Sequence, residues 1–238
     1  FMSVEFIVFF AILSFLTSLL TSIFSLGGGL IMLVALAQSF SPATLIPLHG
    51  SIQLANNFSR TLVYSEFFQW KLVKNIVIST MFGAVIGIYL FGTLPENLLV
   101  MVIAATILFL TWAPLDSLIF SVMKNDWFCG FISGFAGIFV GANGPLVTAY
   151  LRTKNLSPEV LVANHGAIMI FQHGIKIILF ASFFNFMILD YFIFILILAL
   201  TGYAGAILGR RLISKVPFKS FNIILKVFLT LLAFSLFF

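Results

Sequence analysis

Long apolar runs separated by short polar stretches extend through the whole sequence, and they restrict its fold more than any other feature. Charged residues make up only 8% of the 238 residues and hydrophobic residues 62%, whereas soluble domains carry roughly 25% charged residues. A chain with so few charges cannot cover a surface that faces water. Because about 20 apolar residues are enough for a helix to cross a bilayer, the sequence predicts an all-α, multi-pass membrane protein.

The sequence contains one motif twice. A shift of 116 residues pairs residues that are rare in apolar sequence: Gly28 with Gly144, Ser41-Pro42 with Ser157-Pro158, His49-Gly50 with His165-Gly166, and Arg60 with Lys176. After six additional residues the register resumes, and it pairs Gly83 with Gly205, Gly87 with Gly209, and Pro95 with Pro217. Apolar matches are frequent by chance in such a chain, but matches at these residue types are not. We therefore divide the chain into two repeats, residues 1–115 and 116–238.

Each repeat contains five apolar segments, and a break separates the first two. The segments are roughly 4–26, 30–40, 43–66, 72–92 and 97–114 in the first repeat, and 127–141, 145–152, 158–182, 189–209 and 219–238 in the second. The breaks are Gly27-Gly28-Gly29 and Gly141-Ala142-Asn143-Gly144-Pro145. The segment after each break is too short to cross a bilayer. It is therefore predicted to be a half-helix in an interrupted or re-entrant pair.

The first apolar run, 4–26, is expected to be part of the folded protein and not a signal peptide. Its only early charge is Glu5, whereas a signal peptide begins with a basic segment and ends at a cleavage site of small residues. The run also has a counterpart in the second repeat, at 127–141.

The charges of the loops predict how the segments cross the membrane. If each broken pair enters and leaves on one side, all basic loop residues lie on one face: Lys71, Lys74, Lys124, Arg152, Lys154, Arg210, Arg211, Lys215 and Lys219. If each pair crosses once, the same residues divide between both faces. The preference of Lys and Arg for the cytoplasmic side favours the first arrangement. Each repeat then has three transmembrane helices, an odd number, so the two repeats are predicted to be inverted. The net charge of +5 is then loop charge, and no nucleic acid is expected as a partner.

Inverted repeats with broken helices are typical of secondary transporters, which bind substrate near the midplane where the breaks meet. The half-helices that begin near Leu30 and Leu146 direct free backbone N–H groups toward that point, and helix N-termini attract anions. The backbone around the breaks is therefore predicted to bind an anion: Gly28, Gly29, Asn143 and Gly144. Tight helix packing through small residues is the alternative interpretation of these glycines.

Polar stripes on the third segment of each repeat form the second part of the predicted site. The first stripe contains Gln53, Asn56, Asn57 and Arg60, and the second contains His165, Met169, Gln172, His173 and Lys176. Cations inside a membrane without nearby carboxylates need another counter-charge, so Arg60 and Lys176 are predicted to attract the anion. The amides and His173 are predicted to contact it. Hydrogen bonds between helices are the alternative for each amide, and snorkelling to the interface is the alternative for each cation.

Three histidines, His49, His165 and His173, are predicted to couple transport to protons, because imidazole titrates near neutral pH. A structural hydrogen bond is the alternative role for each of them. No acidic or thiol ligands accompany them, so no metal site is predicted; Cys129 is the only cysteine. The sequence contains no nucleophile arrangement, phosphate loop or dinucleotide-binding pattern, so neither enzymatic activity nor a cofactor is expected.

At these residues the chain resembles the TauE/SafE sulfite exporter family, also called the four-toluene-sulfonate uptake family. The resemblance rests on Gly27-Gly28-Gly29-Leu30 after an apolar helix, and on a second copy in which Phe131-Ile132-Ser133-Gly134-Phe135 leads to the second break. It implies transport of sulfite, a sulfonate or a related anion across a prokaryotic inner membrane. The second copy reads Asn143-Gly144-Pro145 in place of the glycine triplet, which bears on the symmetry of the anion site.

Taken with this resemblance, the residues predict a secondary transporter that moves a small sulfur-containing anion by alternating access, with proton coupling through the histidines. Its expected partners are the anion and the lipid bilayer, and the sequence leaves open whether the protein forms a homodimer. Two other interpretations remain. An anion channel would use the same cations and helix ends, and a non-transporting scaffold subunit would use the breaks for packing alone.

Overall fold

The computed structural model describes residues 2–25, 27–112, 124–141, 143–213 and residue 230. Within these ranges the regular elements are helices, which confirms the predicted all-α fold. The first repeat forms α1 (Val4–Phe24), α2 (Gly28–Ala37), α3 (Pro42–Val63), α4 (Trp70–Phe91) and α5 (Glu96–Trp112). The second repeat forms α6 (Asp126–Val140), α7 (Gly144–Arg152), α8 (Pro158–Phe184) and α9 (Phe192–Leu212). Short 3₁₀ turns at Ser65–Phe67 and Ile188–Tyr191 precede α4 and α9.

These helices follow the predicted apolar segments closely, since the same Gly and Pro residues that divide the sequence also end or begin the helices. The predicted last segment, 219–238, lies outside the described residues apart from Thr230, and so do Lys215, Lys219 and Pro217.

Four helices in the described ranges are long and apolar enough to cross a bilayer: Val4–Phe24, Trp70–Phe91, Pro158–Phe184 and Ile188–Leu212. α3 has a comparable length of 22 residues, but its polar stripe lowers its hydropathy. Large apolar side chains such as Phe82, Ile178 and Ile193 point outward and are more than half exposed, as expected of a surface that faces lipid. The protein is therefore an integral, multi-pass membrane protein.

The first two helices of each repeat form a hairpin. Just after α2, the ring of Phe40 lies 6.2 Å from the ring of Phe6 near the start of α1. In the second repeat, the hydroxyl of Tyr150 in α7 donates a hydrogen bond to Asp126 at the start of α6. Each broken pair therefore returns to the end of the bundle from which it came, which is the geometry of a re-entrant pair.

The two ends of the helical bundle differ in charge. At one end, Asp126 accepts a hydrogen bond from Asn75 and pairs with Lys154, each at 3.3 Å, and Arg210 pairs with Glu66. We call this the basic end, because the described basic loop residues gather there: Lys71, Lys74, Lys124, Arg152, Lys154, Arg210 and Arg211. At the opposite end, the rings of Phe40 and Tyr191 lie 6.1 Å apart.

Glycines allow helices of the two repeats to meet backbone to backbone. α4 packs along α6, and α1 packs along α9. A Cβ atom at Gly83 would lie 2.0 Å from the carbonyl oxygen of Phe131, and one at Gly205 would lie 2.3 Å from that of Phe15. Because Gly83 corresponds to Gly205 and Phe131 to Phe15 in the repeat alignment, the two interfaces are equivalent. The hairpin of each repeat is thus packed against a helix of the other repeat.

The repeat-related helices α3 and α8 cross each other in opposite directions. Gly50 in α3 lies beside Lys176 in α8, and Thr61 near the end of α3 lies beside Gly166 near the start of α8. Equivalent residues therefore meet symmetrically around the centre of this crossing, which brings both polar stripes to the middle of the bundle.

Replacing Gly83 with alanine should destabilise the protein, because the new Cβ would collide with backbone that cannot rotate away. Overpacking of this kind costs about 1–3 kcal/mol, so we expect the apparent melting temperature in detergent to fall by roughly 3–10 °C.

Gly174→Ala in α8 is the matched control, because no described atom lies within 4 Å of a Cβ placed there, and alanine favours the helix. Its melting temperature should not fall. Equal stability of the two variants would mean that α4 and α6 are not in backbone contact.

Candidate functional site

The two hairpin tips form where the backbone leaves the helical conformation. Ser25 ends α1 with a φ of 60°, and its N–H donates to the carbonyl of Thr21 at 2.8 Å. The repeat-related Gly141 ends α6 with a φ of 76°, and its N–H donates to the carbonyl of Gly137 at 3.1 Å. Glycine adopts such φ values without strain, whereas serine does so at a cost.

The helices restart abruptly after each tip. A Cβ at Gly28 would lie 2.1 Å from the carbonyl oxygen of Thr17, so only glycine lets α2 begin this close to α1. In the second repeat, Pro145 occupies the first turn of α7, where its missing N–H costs nothing. Local sequence thus explains both breaks.

Both breaks open onto one cavity at the crossing of α3 and α8, and we call it the central cavity. Its volume is about 30 Å³, which is room for one or two water molecules. Several of the predicted site residues and coupling histidines line it: Gly29, His49, Gln53, Asn57, Arg60, Gly144, His165 and His173. The sequence thus predicted residues from both repeats that the fold brings together.

Arg60 is the most unusual group in the wall of the central cavity. Its side chain is only 1% exposed, and one Nη atom donates to Asn57 Oδ1 at 2.9 Å. Its Nε and its other Nη have no partner among the described residues. The described ion pairs, Lys154–Asp126 and Arg210–Glu66, do not involve it. A buried guanidinium with free donors needs an acceptor, and the adjacent cavity is where one fits.

The histidines His49 and His165 hold the starts of the two short helices. The Nε2 atom of His49 lies 2.9 Å from the carbonyl oxygen of Gly29, and that of His165 lies 3.3 Å from that of Gly144. A carbonyl only accepts hydrogen bonds, so we assign the imidazole proton to Nε2 in both rings. The Nδ1 atom of each ring is buried and has no partner among the described residues.

Lys176 lies outside the wall of the central cavity, unlike its repeat mate Arg60. Its Nζ donates to the carbonyl oxygen of Gly141 at 2.8 Å and lies 3.4 Å from Nδ1 of His173. It therefore places a cation at the negative end of α6, a favourable position for positive charge.

The other predicted residues that do not line the cavity are Gly28, Asn56, Asn143 and Gln172. The three amides connect helices. Asn56 donates to Ser14 Oγ at 3.1 Å, and Asn143 donates to Gln172 and to the carbonyl of Ser133. The contacts of these three amides are thus hydrogen bonds between helices, which is the alternative role that the sequence allowed for each amide.

Sequence reasoning did not select six residues of the cavity wall: Thr21, Ser25, Gly27, Leu30, Pro145 and Met169. Thr17, Thr21 and Ser25 recur every four residues on α1, a polar stripe that the sequence did contain. Met169 lies on the stripe of the second repeat but was not chosen as a contact, and Leu30 carries no such signal. Among the described residues, no group of three or more His, Cys, Asp or Glu side chains is arranged to hold a metal ion.

Gln53 and Gln172 were predicted to belong to one site, but the structure places only Gln53 in the wall of the central cavity. Substitutions of the two residues should therefore differ in their effect on stability. Gln172 donates to Thr80 Oγ1 at 3.0 Å and to Ser133 Oγ at 2.8 Å, so Gln172→Leu should leave several buried polar groups unpaired. Each unpaired group costs about 1–3 kcal/mol. We expect a clearly lower melting temperature for Gln172→Leu and a near-parental one for the control Gln53→Leu, which faces the cavity. The reverse order would contradict these assignments.

The comparisons with known proteins agree with this architecture. The family model described as sulfite exporter TauE/SafE matches residues 10–236, nearly the whole chain, and confirms the resemblance seen in the sequence. A search of curated proteins and a search of solved structures found no match.

Proposed function

The chain belongs to the TauE/SafE sulfite exporter family, and from this premise we propose that it is a secondary transporter of a small sulfur-containing anion. The family consists of membrane transporters of sulfur anions, which agrees with the apolar helices of this chain. The proposed cargo is sulfite, a sulfonate or a related organosulfonate. The proposed location is the inner membrane of a prokaryote, with the basic end in the cytoplasm.

The buried guanidinium of Arg60 is the observation that carries the proposal. Two of its donor nitrogens are unpaired and border the central cavity. A planar guanidinium binds two oxygens of one oxyanion in parallel, with roughly twice the strength of neutral hydrogen bonds. Sulfite and sulfonates present several such oxygens, so they match the free donors of Arg60 in number and charge.

The starts of α2 and α7 add further donors to the same cavity. Gly29 and Gly144, in the first turns of these helices, both line it. The first N–H groups of a helix have no partner within the helix, and they favour anions. Two helix starts and one guanidinium therefore converge on a volume that contains no described carboxylate.

We propose alternating access between two inverted repeats, residues 1–115 and 116–238, as the transport mechanism. It is supported by the antiparallel crossing of the repeat-related helices α3 and α8 and by the equivalent interfaces α1–α9 and α4–α6. Structures of this kind move solute when one bundle rocks against the other around a fixed site.

Proton coupling through His49, His165 and His173 is part of the proposal. The free Nδ1 atoms of His49 and His165 support it, because a proton bound there would add positive charge beside the anion. His173 lies between His49, with ring centroids 6.0 Å apart, and Lys176. A chain of polar groups thus leads from the cavity to the tip of α6.

The test is uptake of radiolabelled sulfite, thiosulfate and simple sulfonates into proteoliposomes, with and without an imposed pH gradient. Arg60→Gln should reduce uptake of the transported anion about tenfold or more, because a charge-assisted hydrogen bond contributes about 1.5–3 kcal/mol. Arg211→Gln is the matched control, since it removes an exposed cation at the basic end and should transport normally.

Near-normal uptake by Arg60→Gln would remove this guanidinium from the mechanism. Large anion currents in planar bilayers would instead identify a channel, and failure of every sulfur anion to be taken up or to raise the melting temperature would favour a scaffold.

A further inference from the structure

Ser25, the tip of the first hairpin, lies in the walls of two cavities. It lines the central cavity and also a second cavity of about 180 Å³ at the basic end. We call the second one the basic vestibule. Phe24, Arg152, Leu156 and Pro158 contribute to its wall, and Pro158 is exposed at the surface. Among the described lining residues, Ser25 is thus shared by the central cavity and a space that opens at the basic end.

Thr148 holds this separating residue in place. Its hydroxyl donates to the carbonyl oxygen of Ser25 at 2.6 Å, and both residues are almost fully buried. The bond joins α1 of one repeat to α7 of the other. It is a neutral hydrogen bond to a serine whose φ of 60° is unfavourable for a residue with a side chain, so this contact is easily opened.

The tip of the second hairpin has a different partner. The carbonyl of Gly141, which corresponds to Ser25, accepts its hydrogen bond from Nζ of Lys176 at 2.8 Å. Phe91 packs beside this tip with its ring centroid 6.2 Å from Phe139 and 5.0 Å from Phe180.

Gly141, the repeat mate of Ser25 at the second tip, does not line the central cavity. A cavity of about 190 Å³ does lie at the opposite end, with Ser41, Phe91, Glu96 and Phe184 in its wall. It shares no described lining residue with the central cavity. The repeat-related positions therefore differ among the described residues: Ser25 lines the basic vestibule, whereas Gly141 lines none of these three cavities.

We propose that Thr148 and Ser25 form the gate through which the anion passes between the central cavity and the basic vestibule in this conformation. Thr148 acts as a positioning residue, because it contacts the gate and not the bound anion. Arg60 in the central cavity and Arg152 in the vestibule place positive charge on both sides of the gate. This inference rests on the proposed function.

Side-specific labelling of a single cysteine tests the gate. In a Cys129→Ala background, Thr21→Cys places a thiol in the central cavity. The probe is 2-sulfonatoethyl methanethiosulfonate, an anionic thiol reagent that does not cross membranes, added to either side of oriented proteoliposomes. Asn155→Cys in the turn after α7 and Asn97→Cys in the first turn of α5, both exposed and at opposite ends of the bundle, report which side each protein end faces.

We expect Thr21→Cys to react from the side that labels Asn155→Cys. Adding Thr148→Val to the Thr21→Cys protein should accelerate this reaction about three- to tenfold, the factor that corresponds to loss of one neutral hydrogen bond. Thr148→Ser keeps the hydroxyl and should keep the parental rate. Thr111→Val is the matched control, because the buried Thr111 hydroxyl bonds only within its own helix, to the carbonyl of Ile107 at 2.6 Å.

Faster labelling of Thr21→Cys from the opposite side would overturn the proposal, as would an unchanged rate in a Thr148→Val protein with normal melting temperature. If Thr148→Val does not fold, labelling of Thr148→Cys is measured instead, since cysteine is similar in size to threonine. It should react from the basic side, and reaction from the other side or from neither would exclude the gate. Labelling needs no transported anion, so failed uptake with correct labelling counts against the proposed function alone.

Discussion

The backbone groups at the two hairpin tips lie inside an apolar bundle, where no bulk water can satisfy them. The carbonyls on either side of each break therefore need protein donors. Thr148 and His49 supply them in the first repeat, and Lys176 and His165 in the second. These contacts fix the two breaks against α3, α7 and α8, so the central cavity follows from the need to satisfy the broken backbone.

The helix interfaces bear on the alternating access proposed above. α1 meets α9, and α6 meets α4, through glycines that bring backbone atoms into contact, so each hairpin is rigidly joined to a helix of the other repeat. At the crossing of α3 and α8, Lys176 contacts Gly50 through its side chain, and a Cβ at Gly166 would lie 2.6 Å from Thr61 Oγ1 and 3.4 Å from the carbonyl oxygen of Asn57. A rocking motion of two rigid bodies would therefore be accommodated at this crossing, beside the central cavity.

Local patterns predicted much of this structure, because apolar runs, glycines and prolines act on the nearest turns of the chain. The helices and both breaks follow from them directly. The roles of individual polar residues did not follow from the sequence, because periodicity shows which face of a helix a side chain occupies but not which residue of another helix it contacts. Gln172 meets Thr80 and Ser133 from distant helices, and only the fold brings these together. Repeat symmetry likewise pairs Arg60 with Lys176, yet a single conformation gives the two cations different neighbours.

The different neighbours of Arg60 and Lys176 are the reason why the proposed anion would bind beside Arg60. Lys176 already has the carbonyl of Gly141 and the imidazole of His173 as acceptors, so its charge is compensated by the protein itself. Among the described residues, Arg60 donates a hydrogen bond to Asn57, while its Nε and its other Nη have no partner. Burial of a guanidinium is costly unless an acceptor satisfies its donors, and Arg60, in the last turn of α3, is only 1% exposed. An oxyanion in the central cavity would satisfy these donors and the helix starts together, so the energetic cost of burying Arg60 becomes the basis of anion affinity.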